Sequence, residues 1–205
     1  MIQDCSICPR LSEFLGGLQE QYPDYHNRPV APFGAEDAHL LIVGLAPGMH
    51  GANASGRPFT GDHAGILLYQ TLYEYGFASE AESLSADDGL ELMNCRITNA
   101  VKCLPPQNKP IGSEIRNCNR YLQQELAGLD RGSIIIALGG IAHRAVISAL
   151  DLKQVAHPFA HAAEHNLPQG RLLIDSYHCS RYNTQTRRLT GSMFKQVFSR
   201  ARDLL

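Results

Sequence analysis

Cys5 and Cys8 form a C-x2-C pair near the start of the chain, and two further cysteines, Cys103 and Cys118, lie fifteen positions apart near its middle. Four thiolates suit either a zinc ion or an iron–sulfur cluster. The second close pair that zinc usually takes is missing here, so the spacing leans toward the cluster and leaves zinc as the alternative. Cys95 and Cys179 fall in a strand-like run and in a loop; they are expected to serve packing. A second concentration of chemistry lies in "VGLAPGMHGANASGRPFTGDHAG", Val43 to Gly65. A strand-to-helix connection usually takes about 2–6 residues, so a glycine-rich stretch of this length is expected to bind something. Gly44, Gly48 and Gly51 allow close approach of backbone to a ligand, and no G-K-[ST] follows that would mark a phosphate cradle. The loop also carries His50, Asn53, Phe59 and Asp62. Asp62 directly precedes a helix-like run, so its carboxylate serves either as a cap or in chemistry at the loop.

Residues so distant in number act together only if the fold gathers them. Four short runs rich in Ile, Leu and Val read as buried strands: His39 to Gly44, Met93 to Asn99, Ser133 to Gly139 and Arg171 to Tyr177. Helix-patterned stretches over Asp62 to Tyr75, Ser113 to Leu129, Gly140 to Leu150 and Thr190 to Leu204 alternate with them, which is the βαβ signature. The predicted fold is therefore α/β, a three-layer α/β/α sandwich around a central, mainly parallel four-stranded sheet. Ligands of such sheets bind beyond the carboxyl ends of the strands. Each segment of interest follows a strand: the long loop the first, "TNAVKCLPPQNKP" the second, "GGIAHR" the third and "YHCSRYNTQT" the fourth. Ser79 to Gly89, acidic in composition, reads as a surface linker.

With 205 residues, 44% of them hydrophobic, the chain is expected to form a single domain over residues 1–205. No window approaches the roughly 18 apolar residues of a membrane span, and "MIQDCSICPRL" lacks the pattern of a signal peptide. No membrane association and a cytoplasmic location are expected. The net charge of −2 argues against a surface that is basic throughout. From residue 181 onward, however, Arg181, Arg187, Arg188, Lys195, Arg200 and Arg202 face the single acid Asp203. That excess suits either a solvated helix face or a nucleic-acid contact.

Taken together, "GLAPGMHGANASGRPFTGD", "TNAVKCLPPQNKP" and "HCSRYNTQTRRLTGSMF" resemble the uracil-DNA glycosylase superfamily, and within it the iron–sulfur families 4 and 5. Leu45 stands where family 4 has glutamate, and the first motif is similar to family 5, or type b. The resemblance implies a monofunctional enzyme, acting as a monomer, that hydrolyses the N-glycosidic bond of uracil in DNA. Hypoxanthine and other deaminated bases are further expected substrates. It implies a 4Fe-4S cluster on Cys5, Cys8, Cys103 and Cys118. It also implies a flipped base stacked on Phe59, read by the Asn99 amide, and enclosed by Gly44, Ala46, Gly48, His50 and Asn53. His178 is then the donor to the departing base, and Asp62 is the first candidate for positioning water, since Ala46 stands where other branches place an acid or amide. The second motif starts "HC" here in place of the usual "HP". Arg181, Tyr182, Arg187 and Arg188 are expected to contact DNA, with Arg181 or Tyr182 as the wedge, and Lys102 to lie beside the cluster and DNA. Ala46 keeps open a non-catalytic iron–sulfur DNA-binding module or redox sensor on the same fold.

Overall fold

The computed structural model describes residues 2–205. All four expected strands form, as β2 (Leu40–Gly44), β3 (Cys95–Asn99), β4 (Ile134–Leu138) and β6 (Leu172–Ser176). They pair in parallel in the order β3-β2-β4-β6. β2 and β4 are buried along their whole length, which is why they read as unbroken apolar runs rather than alternating ones. Successive side chains point to opposite faces. Leu40, Ile42, Ile97, Ile134 and Ile136 therefore pack against α3 (His63–Glu74) and α7 (Gly191–Leu204), while Leu41, Val43, Ile135 and Ala137 pack against α4 (Gly112–Ala127) and α5 (Gly140–Ala149). These two apolar layers make the expected sandwich.

The sheet has six strands rather than four. β1 (Phe33–Gly34) pairs antiparallel with β3, and β5 (Glu164–Asn166) pairs antiparallel with β6, so each closes one edge. Two- and three-residue strands carry too few side chains to show a period. The helix α1 (Pro9–Gln21) was legible but unassigned: Leu11, Leu15 and Leu18 recur at helical spacing behind a proline in the first turn, and the last two pack on Leu104. Two short helices, α2 (Ala52–Ser55) and α6 (Arg181–Gln185), sit inside segments read as loops. Among the described residues no helix is long and apolar enough to cross a membrane.

The expectation that Lys102 faces DNA is corrected. Its side chain is 1% exposed, and its Nζ donates to Thr98 Oγ1 and, at 2.7 Å, to Glu125 Oε1. Its backbone N–H donates to Cys118 Sγ at 3.2 Å. Lys102 is thus an internal tie between β3's end and α4. Removing one partner of a buried ion pair strands the other charge. Lys102→Ala should cost about 3–5 kcal/mol in urea unfolding, whereas Lys102→Met with Glu125→Leu should recover most of that loss.

Candidate active site

A cavity of about 570 Å³ opens beyond the carboxyl ends of the four parallel strands. Each contributes the residues that follow it: Leu45 and Ala46 after β2, Asn99 at the end of β3, Gly139 and Gly140 after β4, Tyr177 and His178 after β6. Phe59, Asn99 and His178, separated by up to 119 positions (178 − 59) in the chain, all line it.

Asn99 is buried, and neither its Oδ1 nor its Nδ2 has a hydrogen-bond partner within the protein. An orphaned amide in a core costs the desolvation of both groups. Facing a cavity, it is a donor and an acceptor waiting for a ligand with the complementary edge. The nearest ring is Phe59, whose own ring lies nearly parallel to that of His178, with centroids 6.1 Å apart and an interplanar angle of 26°. Gly44 makes this meeting possible. A Cβ there would lie 2.4 Å from Asn99 Oδ1 and 2.6 Å from Phe59 Cζ, so only glycine leaves room for both.

Phe59 holds a left-handed backbone conformation, φ +60°, which costs a residue with a Cβ on the order of 1–2 kcal/mol. A clamp that sequence reading missed keeps it there. The Arg57 guanidinium donates to Thr60 Oγ1 at 2.9 Å, to Ser83 Oγ at 2.6 Å and to Asp88 Oδ2 at 2.6 Å. It also lies 4.8 Å from the centroid of the Phe33 ring, and Tyr69 Oη donates to the Pro58 carbonyl at 2.7 Å. Arg57 and three backbone N–H groups, those of Leu90, Leu84 and Ser85, hold the Asp88 carboxyl well below the usual carboxylate range against the opposing effect of desolvation. The Ser79–Gly89 stretch is therefore a structural strap under the loop, not merely a linker. Nothing in the sequence marked Arg57 as buried, so its need for an acid partner was not legible.

Asp62 lines the cavity and does not cap α3 with its side chain. The carboxylate turns back across the loop and accepts the Ala52 N–H at 3.1 Å. Gly48 and Gly51 leave room for it: Cβ atoms there would stand 2.2 Å from Asp62 Oδ1 and 2.1 Å from Asp62 Cγ. These glycines therefore accommodate a carboxylate, although Gly48 also reaches the cavity wall. Burial raises the Asp62 pKa, with the Ala52 and Gly48 N–H groups pulling it partway back. Burial pushes the imidazole of His178 down to about 4, so it is neutral at physiological pH and carries one N–H to donate.

Two expected cavity residues lie elsewhere. His50 is exposed, 3.1 Å from Tyr25 Oη through its Nδ1 and edge-on to the Tyr22 and Tyr25 rings. Asn53 is fully buried and donates to Asn27 Oδ1 at 2.8 Å, which fixes α2 to the chain before β1. Neither is part of the lining: His50 packs against Tyr22 and Tyr25, and the Asn53 amide nitrogen is taken by Asn27 while its oxygen stays buried without a partner. Ala46 does line the cavity and offers no polar group.

The segment after His178, read as an open loop, begins with α6, capped by Ser180 Oγ accepting the Asn183 N–H. Arg181, Tyr182, Arg187 and Arg188 are all exposed, and Arg181 and Arg188 line the cavity mouth. The Arg188 guanidinium lies 4.8 Å from the centroid of the Tyr177 ring. The rest of the basic run is already engaged: Lys195 pairs with Glu74, Arg200 with Glu164, and Arg202 packs over Phe77. Of this basic run, Arg181 and Arg188 are the cations that line the cavity.

Cys5, Cys8, Cys103 and Cys118 line one small cleft together with Leu11, Val101 and Asn117. The Cys103 thiol is pushed up to about 12, first by burial and then by the other three cysteines; Cys118 is also raised by burial. Four thiolates crowded in this way require a cation to hold them deprotonated. The one trio of His, Cys, Asp or Glu ligand atoms within 4.8 Å of one another among the described residues is His143, His165 and Asp175. Cys95 and Cys179 are buried packing residues, as expected.

The Uracil DNA glycosylase superfamily profile matches residues 31–202. A Type-5 uracil-DNA glycosylase of Thermus thermophilus is 46% identical over 205 residues, covering 98% of this chain and 93% of that protein. A Type-5 uracil-DNA glycosylase of Pyrobaculum aerophilum is 39% identical over 97% of this chain and 88% of its own length. A Type-4 uracil-DNA glycosylase of Archaeoglobus fulgidus is more distant, 34% identical over 58% of this chain and 53% of its own. With cavity, motifs and similarity in agreement from the first strand to the last helix, the chain belongs to the uracil-DNA glycosylase superfamily.

Proposed function

We propose that the protein is a DNA-repair glycosylase of the Type-5 class that hydrolyses the N-glycosidic bond of uracil swung out of the duplex, leaving an abasic site. The unpartnered amide of Asn99 beside the Phe59 ring carries this reading, because a uracil edge supplies both a donor and an acceptor. Other deaminated bases such as hypoxanthine are included in the proposal. Cleavage breaks the C1′–N bond, with its electron pair leaving on the base and positive charge developing on the sugar. Neutral His178 donates its N–H to the base oxygen that gathers the charge. Asp62, ionised, stabilises the cationic sugar and orients the water that attacks C1′, accepting its proton. That role falls to Asp62 because Ala46 cannot take it. No lysine lines the cavity, which supports hydrolysis without a lyase step.

Cys5, Cys8, Cys103 and Cys118 would hold a 4Fe-4S cluster, favoured over zinc because the last two ligands lie fifteen positions apart rather than in a second close pair. A group held there would tie the N-terminal arm to α4, and none of its four cysteines lines the cavity. Arg181, Arg187 and Arg188 meet phosphate, and Tyr182, 70% exposed, is placed to enter the helix.

On uracil-containing duplex DNA, His178→Ala should slow single-turnover excision about 10²–10³-fold, and Asp62→Asn at least about 10²-fold. A protein inactive as wild type would return the non-catalytic DNA-binding module. For an acid with a raised folded pKa, stability falls as pH rises from the unfolded toward the folded value. The ionised Asp62 therefore costs stability at neutral pH, and Asp62→Asn should melt no lower than wild type while losing activity. His178 should contribute no inflection near pH 6.5, where an ordinary imidazole titrates, since it is neutral down to about 4; an inflection there that persists in Asp62→Asn would contradict the role of neutral donor. Arg181→Ala, Arg187→Ala and Arg188→Ala should each flatten the slope of log affinity against log salt by about 1.

A further inference from the structure

Asp175, on β6, has no exposed surface and lies between two histidines. Its Oδ1 is 2.8 Å from His143 Nδ1, and its Oδ2 is 3.0 Å from His165 Nε2. His143 Nε2 is in turn 2.8 Å from the His157 carbonyl oxygen. A carbonyl oxygen only accepts, so His143 Nε2 carries a hydrogen. His143 Nδ1 and Asp175 Oδ1 share a second hydrogen bond, so the ring is held at both nitrogens, and His165 meets the other carboxylate oxygen.

This network holds one end of an irregular segment, residues 157–163. Its other end is tied by the Ala162 N–H to the Asp175 carbonyl at 2.8 Å, by the Asp175 N–H to the Ala163 carbonyl at 2.9 Å, and by the Tyr177 N–H to His161 Nδ1 at 3.2 Å. Between the two anchors Phe159 lies in the cavity wall. Its ring meets His143 edge-on at 5.6 Å and Tyr177 at 6.1 Å. A Cβ on Gly140 would stand 3.7 Å from Phe159 Cδ1, so this side of the cavity is closed by an apolar ring without a hydrogen bond to offer a base.

We propose that Phe159 is a specificity-determining residue that limits the size of the base admitted, and that His143 and Asp175 are its positioning residues. The inference rests on the reading of the cavity as a base pocket. A hydrophobic wall discriminates by bulk, about tenfold or somewhat more for a small change of shape. Withdrawing the ring favours the larger purine hypoxanthine over uracil.

Single-turnover excision of uracil and of hypoxanthine from otherwise identical duplexes, by wild type, Phe159→Ala, Phe159→Leu and His143→Asn, tests this. Phe159→Ala should raise the hypoxanthine-to-uracil ratio of kcat/KM about tenfold, with Phe159→Leu in between. His143→Asn should shift it in the same direction with Phe159 intact. If wild type cleaves no hypoxanthine, its appearance as a substrate in Phe159→Ala is the expected result. A ratio unmoved in Phe159→Ala while uracil is still excised overturns the specificity role; one moved by Phe159→Ala but not by His143→Asn overturns the positioning role. A wild type that excises neither base overturns the reading of the reaction itself, and this inference with it. Should His143→Asn not fold, Asp175→Asn is read in the same way: a shifted ratio supports the positioning pair, and an unmoved one overturns it.

Discussion

At the end of the first parallel strand, Gly44 places a hydrogen where any other residue would place a carbon, and the site is built around that missing volume. Asn99 Oδ1 and the tip of the Phe59 ring both occupy the space a Cβ would claim. Without that vacancy a strand-end amide and an aromatic ring from a distant turn could not face the same cavity. The arrangement is costly in two places. Asn99 keeps two buried polar groups without partners, and Phe59 keeps a left-handed backbone. Such local costs gather at functional sites, where the surrounding structure overrules them.

What overrules them is polar rather than apolar packing. The Arg57–Asp88–Ser83 clamp lies under the Phe59 turn, the Asp62 carboxylate bridges the glycine loop to α2, and the His143–Asp175–His165 network backs the opposite wall. Each is buried or nearly so, and each is satisfied on almost every donor and acceptor. Networks of that kind define position more sharply than apolar contacts do. The sheet supplies the frame, since its strands end together at one edge, and the networks set the loops that rise from it.

Asp62 illustrates how a single group serves both purposes. Its carboxylate accepts loop N–H groups, which hold the backbone, and its burial raises its pKa. The same group lines the cavity at the start of α3, while Ala46, at the end of β2, offers the cavity no polar side chain.

The sequence alone determined the four parallel strands, the sandwich and the cysteine quartet, because buried strands read as apolar runs and the cysteines stand out by type and spacing; the trio Phe59, Asn99 and His178 came from the resemblance of the motifs that hold them. It did not determine the edge strands, which are too short to show a period, nor α6, whose polar residues look like loop. The destinations of polar side chains lay beyond it as well. Asp62 was equally a cap or a catalytic group, His50 and Asn53 seemed to belong to the cavity, and Lys102 seemed to reach DNA. Nothing in the sequence tied Arg57 to Asp88 or His143 to Asp175. A hydrogen bond depends on two atoms within about 3 Å, and for residues tens of positions apart only the tertiary fold decides which partner is that close.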